Sequence, residues 1–278
     1  MDKLLVVDGS NLLFQMFYGM PARIVNGQGK AIQGTLGFVG ALLKIIRMVN
    51  PTHVLVAFDG ECENGRKELD GDYKANRPDY GQLPQEETPF SQLPDIYAAL
   101  DELGICHRET DTCEVDDWIA GYAKRCGGRM DVVIASQDSD FFQLITERVS
   151  VLRYRGKNTV ICDPAYIREK MGIVPAQYAA FKSLTGDTAD NIRGADKIGP
   201  KTAAELMNQF GDLQTLLAKT DEISKPSIRR SVLQNAARIR KNYELIRLDG
   251  TEELPFGMER LRWEDPGLTT TQVLQRIQ

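Results

Sequence analysis

Aspartates close the apolar runs of this sequence. Asp8 follows Leu4–Val7, Asp59 follows Val54–Phe58, and Asp138 and Asp140 lie just beyond Val132–Ala135. A second set, Glu114, Asp116 and Asp117, opens the segment Val115–Cys126, and Asp187 and Asp190 fall in Gly-Asp-Thr-Ala-Asp-Asn. One strand-end aspartate reads as a helix cap or a turn former. Four acids beyond three strands read better as a site, because ligands of open α/β sheets bind outside the carboxyl ends of the strands. Capping explains one or two of the Glu114 set but not all three. Nine carboxylates in one crevice cannot all ionise without counter-charge. Hard divalent cations supply it, and oxygen-only donors select Mg²⁺ or Mn²⁺ over zinc. Two such ions about 4 Å apart hold the attacking and leaving oxygens of a phosphodiester.

Other chemistries lack material. The five cysteines (Cys62, Cys106, Cys113, Cys126, Cys162) form no C-x-x-C pair, which argues against a disulfide framework or a zinc site. Of the two histidines, His53 sits in an apolar run and reads as a packed strand residue. Triads built on histidine are therefore disfavoured. No apolar run reaches the roughly 18 residues of a membrane span, and the apolar stretch Leu4–Val7 at the start is too short for a signal peptide, so a cytoplasmic location is expected.

The elements that must position the acids alternate. Leu4–Val7, Val54–Phe58, Val132–Ala135 and Val149–Tyr154 read as buried strands. Helical patterns lie between them at Leu36–Val49, Asp95–Leu103 and Val115–Cys126. This predicts an α/β fold with a mostly parallel central sheet flanked by helices. From Asp163 onward helices alone are expected: Pro164–Met171, Pro175–Leu184, Pro200–Phe210 and Arg229–Leu248, with a domain boundary near residue 163. The polar stretch 60–94 has no periodicity and is expected to be mobile until a ligand orders it.

Charge divides along the chain. Residues 1–165 carry a net −7 and residues 166–278 a net +2. Neutralising the nine acids with metal would remove the barrier to a polyanionic partner. In the second half, Ile198-Gly-Pro-Lys-Thr-Ala203 enters a helix, so backbone N–H groups at its start, with Lys201, suit a phosphate. The spacing is not that of a P-loop.

Asp8-Gly-Ser, Phe58-Asp59, Tyr73-Lys-Ala-Asn-Arg77, Glu114-x-Asp-Asp117, Asp138-x-Asp140 and Gly186-Asp-x-x-Asp-Asn191 through Lys201-Thr-Ala203 occur in this order. Together they resemble the 5′-nuclease (flap endonuclease) family, including the 5′→3′ exonuclease domain of bacterial DNA polymerase I and its freestanding bacterial and phage relatives. The resemblance spans about residues 4–215. It implies a PIN/resolvase-like domain over 1–163 with an arch at about 60–94. A helical DNA-binding domain follows over 164–278, with its helix-hairpin-helix at about 184–212.

By this resemblance Asp8, Asp59, Glu114 and Asp116 surround one metal. Asp138, Asp140, Asp187 and Asp117 serve another, with Asp190 in an outer position. Lys74 and Arg77 reach the scissile phosphate. Phe14 falls where relatives place an aromatic ring that stacks on a base, the alternative being a core residue; Tyr73 contacts DNA from the arch, and Lys197, Ile198, Gly199, Pro200, Lys201 and Thr202 meet the duplex. A K⁺ ion is held by the carbonyls of Leu184, Thr185, Arg193, Ala195 and Ile198. Two departures stand out. Lys197 replaces a glycine where a left-handed backbone is expected, and Gln15 stands where relatives carry an arginine.

The expected function is two-metal hydrolysis of DNA with 5′ ends, flaps or branches, RNA-primed DNA included. The rivals are a non-catalytic structure-specific DNA-binding protein that retains the acidic pocket, and a ribonuclease with a similar acidic α/β core. The basic run Arg229, Arg230, Arg238, Arg240, Lys241 reads as a solvated helix face rather than a DNA track.

Overall fold

The computed structural model describes residues 2–20, 22–60, 65–78, 80, 84 and 88–277. Cys62 and part of the 60–94 stretch therefore lie outside the described residues.

Apolar runs without alternation need cover on both faces, and the sheet provides it. Its order is β3-β2-β1-β4-β5-β6, from β1 (Lys3–Asp8), β2 (His53–Phe58), β3 (Cys106–Glu109), β4 (Asp131–Ala135), β5 (Val149–Arg153) and β6 (Val160–Cys162). All pairs are parallel except β5–β6. The central strand β1 puts Leu5 beside Val54 and Val133, and Val7 beside Val56 and Ala135. Strand order reverses between β1 and β4, which opens a crevice at their carboxyl ends. His53 is buried in β2, as a packed strand residue should be.

One face of the sheet is covered by α1 (Gly9–Gly19), α2 (Gln33–Val49) and α4 (Leu93–Glu102). The other is covered by α5 (Val115–Cys126), which buries Trp118, Ile119 and Tyr122. Each such side chain contributes about 1.5–3 kcal/mol of burial. This second core continues without a break into the helical half, through Phe142 and Tyr178 with ring centroids 5.5 Å apart.

Helices follow β6: α6 (Pro164–Met171), α7 (Tyr178–Thr185), α8 (Pro200–Phe210), α9 (Leu213–Ala218) and α10 (Pro226–Ile246). The expectation of helices alone needs correction. Gly186–Asp187 (β7) and Ile192–Arg193 (β8) pair as a short antiparallel ribbon between α7 and α8.

The last thirty residues carry no sequence motif, yet they act as a strap. Tyr122 donates to the Phe256 carbonyl (2.8 Å), and Lys124 to that of Leu248 (2.6 Å). Arg262 bridges to His53, and the Trp263 ring nitrogen donates to the Leu103 carbonyl (2.8 Å). The final helix α11 (Thr270–Arg276) inserts Val273 into the core beside α2.

Trp263→Ala should lower the unfolding free energy by about 2 kcal/mol, from lost ring contact and a carbonyl left without its donor. Urea denaturation checks this; an unchanged midpoint would show the strap to be dispensable.

Candidate metal centre and nucleic-acid interface

The crevice between β1 and β4 gathers the acids. Asp8 ends β1 and caps α1, accepting from the Asn11 amide (2.9 Å) and from Ser136 Oγ across the crevice (2.8 Å). Asp59 follows β2, and its Oδ1 accepts from the Val115 amide at the start of α5 (3.0 Å). Glu114 precedes that helix, and Asp116 and Asp117 occupy its first turn. Asp138 accepts from the Asp140 amide (2.8 Å) in the turn after β4. Asp187 lies in β7, and Asp190 in the turn that joins β7 to β8. One carboxylate oxygen from each of Asp140, Asp187 and Asp190 lies within 4.8 Å of the others, so Asp190 sits inside this group.

The charges are felt across the whole crevice. Burial, then Asp59, lifts the Asp8 carboxyl to about 7 against its two hydrogen bonds. Asp116 is pushed well up by burial and then by Asp138, Asp59 and Glu114, with Lys74 opposing. Asp140 is pushed up likewise by burial and then by Asp138, Asp187 and Asp190, with Lys182 opposing. Burial raises Asp190 as well. Asp138 acts on Asp8, Asp116 and Asp140 alike. Acids from distant parts of the chain thus share one electrostatic neighbourhood.

Does this site suit a metal? Asp140 Oδ1 is buried with no hydrogen-bond partner among the described residues. A buried anionic oxygen left bare is costly, and its neighbours are oxygens of the same sign. Oxygen donors alone, gathered this way, fit a hard divalent cation.

Cations already stand against the rim. Arg66 pairs with Asp117 and Glu114, Lys74 with Glu114 (2.6 Å), and Arg77 with Asp190 (2.9 Å). Lys182, at the end of α7, pairs with Asp187. Burial would lower Lys74, but Glu114, Asp116 and Asp190 outweigh it and its ammonium is held above the ordinary value.

The described part of the expected mobile arch is docked. It forms a short helix, α3 (Gly65–Leu69), and a turn held to the helical half. The Lys74 amide donates to the Asp190 carbonyl (3.0 Å), Asn76 to that of Thr188 (2.9 Å), and Asn191 to that of Asp72 (2.8 Å). Lys241 pairs with Asp70 (2.6 Å). Tyr73 is buried beneath Lys74, with its hydroxyl 3.4 Å from Glu114 Oε2. Phe14 is half-buried, in edge contact with Tyr80 and Phe90 at centroid distances of 5.5 and 5.6 Å.

In the hairpin, Lys197, Gly199, Pro200 and Lys201 are exposed, Thr202 is half-exposed and Ile198 is buried. Gly199 caps α8 without a side-chain bond, leaving amides at the helix start to an outside acceptor. Lys197 adopts φ +65°, the left-handed conformation expected of the glycine it replaces. Gly194 has no such freedom to change, since a Cβ there would lie 2.3 Å from the Thr185 carbonyl oxygen. From α10, Asn242 donates to the carbonyls of Ser183 (3.0 Å) and Arg193 (2.8 Å). Of the basic run, Arg229 binds the Ile223 carbonyl and Arg238 that of Gly194, while Arg230 and Arg240 are exposed.

Comparison with known proteins fits this arrangement. Residues 3–172 match the model of the 5′-3′ exonuclease N-terminal resolvase-like domain, and residues 173–268 that of the 5′-3′ exonuclease C-terminal SAM fold. The chain belongs to the 5′-3′ exonuclease family. DNA polymerase I of Rhizobium leguminosarum is 35% identical over 269 residues, covering 94% of this chain and 26% of the polymerase. Thermostable DNA polymerase I of Thermus aquaticus is 33% identical over 261 residues, covering 93% of this chain and 30% of the polymerase. The chain thus spans between a quarter and a third of these relatives' length. In fold it is similar to the flap endonuclease of bacteriophage T5, with a TM-score of 0.71 at 22% identity over 88% of each chain. Among the described residues, no helix is long and apolar enough to cross a membrane.

Sequence reasoning about the site missed Arg66, Lys182 and Ser136. Lys182 carried a weak signal, a cation in the last turn of a helix followed closely by Asp187. Arg66 carried none, because its partners lie about fifty residues away.

The folded chain holds Asp8, Asp116, Asp140 and Asp190 above their ordinary range, so between about pH 4 and 7 it binds more protons than the unfolded chain, and its stability falls as pH rises. Thermal melts in chelator across that window should show a declining midpoint. A flat or rising profile would contradict the crowding.

Proposed function

We propose that this chain hydrolyses phosphodiester bonds of DNA at 5′ ends, flaps and branches, RNA-primed ends included, with divalent cations as cofactors. The observation that carries this reading is the bare Asp140 oxygen among Asp187 and Asp190, continuous in charge with Asp8, Asp59 and Asp116. The bacteriophage T5 relative, solved with DNA and metal ions, supports it.

Mg²⁺ or Mn²⁺ suits the donors. Asp8, Asp59, Glu114 and Asp116 would hold one ion, and Asp138, Asp140, Asp187 and Asp190 another. When bound, the ions would supply charge neutralisation and activation of the attacking water. The chain's own residues do the rest. Lys74 and Arg77 lie at the crevice rim with side chains anchored to Glu114 and Asp190, placed to offset charge that develops on a phosphate. The exposed start of α8, with Lys197 and Lys201, holds duplex backbone without reading sequence. Phe14, beside Tyr80 and Phe90, offers a ring face to an unpaired base.

K⁺ at the hairpin belongs to the same proposal. The carbonyls of Leu184 and Ala195 accept from the Ala195 and Ile198 amides, and that of Arg193 from Asn242; a carbonyl oxygen carries two lone pairs, so one that accepts a hydrogen bond can also face a cation. Those of Thr185 and Ile198 complete the set.

On a 5′-flap oligonucleotide, cleavage should require Mg²⁺ and stop with EDTA. Asp140→Asn should slow it by at least about 10²-fold while flap binding persists; wild-type cutting by that variant would remove the metal assignment. Lys201→Ala should weaken duplex binding regardless of sequence and reduce the slope of log affinity against log salt by about one. An unchanged slope would place the phosphate contact elsewhere.

A further inference from the structure

We propose that Arg66 is a positioning residue for this site, and that Asp117 is its fixed counter-ion rather than a ligand of a divalent cation. The inference rests on the nuclease reading and revises it at one carboxylate.

The geometry is a fork on a fork. Arg66 Nη1 donates to Asp117 Oδ2 and Nη2 to Asp117 Oδ1, both at 2.9 Å, so each carboxylate oxygen is engaged. Nη1 also donates to Glu114 Oε2 (2.7 Å), and Nε to the Leu245 carbonyl at the end of α10 (3.0 Å). The Arg66 and Asp117 side chains are only 13% and 17% exposed. Bidentate arginine–carboxylate pairs fix orientation as well as charge.

Asp116 and Asp117 face apart. They are consecutive on a helix, so their side chains diverge by about 100°. Asp116 feels Asp138 and Asp59. Asp117 instead lines a cavity of about 390 Å³ with Arg66, Glu114, Glu244, Arg247 and Asp249. Asp116 does not line that cavity, and the Asp140–Asp187–Asp190 group does not include Asp117.

Arg66 therefore joins three elements at one point: α3 at the arch base, the acidic turn of α5, and the end of α10. Glu114 is held from two sides, by Arg66 and by Lys74. Docking of the arch base and orientation of Glu114 become one event, with Arg66 acting through Glu114 and not on the substrate.

The test uses the whole chain and Mn²⁺ alone as the probe. In Arg66→Gln/Asp117→Asn neither partner leaves an uncompensated buried charge, which keeps the variant foldable. Calorimetry should find as many Mn²⁺ ions bound as in the wild type, whereas Asp140→Asn should lose one. On the flap substrate, Arg66→Ala should lower kcat by about 10- to 100-fold, with KM within about threefold, and Arg66→Lys should recover part of the loss. Adding Asp117→Asn to Arg66→Ala should cost nothing further. Loss of an ion from the double variant, or multiplying effects of the two substitutions, would overturn the inference. Failure of the wild type to bind Mn²⁺ or to cut would instead overturn the nuclease reading itself.

Discussion

Like-charge repulsion governs this molecule. A parallel sheet with a reversed strand order delivers carboxylates from β1, β2, β4 and the start of α5 to one crevice, and the β7–β8 ribbon adds two more. Without counter-charge such a collection would push its members apart or force them to hold protons. The fold answers in both ways. Asp8, Asp116 and Asp140 are driven toward the neutral form, while Arg66, Lys74, Arg77 and Lys182 draw close to the rest. Three of these four cations, Arg66, Lys74 and Arg77, come from the arch stretch, so that segment also neutralises the crevice rim.

Much of the fold can be read along the chain because its signals are local. The segments Val115–Cys126, Pro164–Met171 and Pro200–Phe210 form helices with those bounds. The strands with continuous apolar runs appear where expected. β3 escaped because Cys-His-Arg-Glu at a sheet edge has no apolar run, and its outer residues are exposed. Helix α1 escaped because Gly9, Ser10 and Asn11 are poor helix formers. Its start is made by the Asp8 cap and its body by packing on the sheet. The carboxylates could be grouped from their positions after strands, and the left-handed backbone at Lys197 followed from the glycine it replaces. The cations that pair with the acids could not be assigned. Arg66, Asp117 and Leu245 meet only because α3, α5 and α10 converge, and nothing in their spacing records it.

The helical half is more than an accessory to the sheet. Its α7 supplies Lys182, its ribbon supplies Asp187 and Asp190, and its α10 braces both the hairpin and the arch base through Asn242, Arg238 and Lys241. A single core under α5 runs through both halves. The acidic crevice and the basic hairpin are therefore set at a fixed separation by shared packing, which suits a substrate that must touch both.

The strap has a consequence for how the chain is made. β1 pairs with β4 some 130 residues later along the chain, and Val273 completes the core beside α2 only after the whole helical half has been made. Until then the outer side of α2 keeps an apolar groove open to solvent. A nascent chain in that condition is prone to capture by holdase chaperones or by another copy of itself, and slow translation of the codons for the strap would lengthen the exposure.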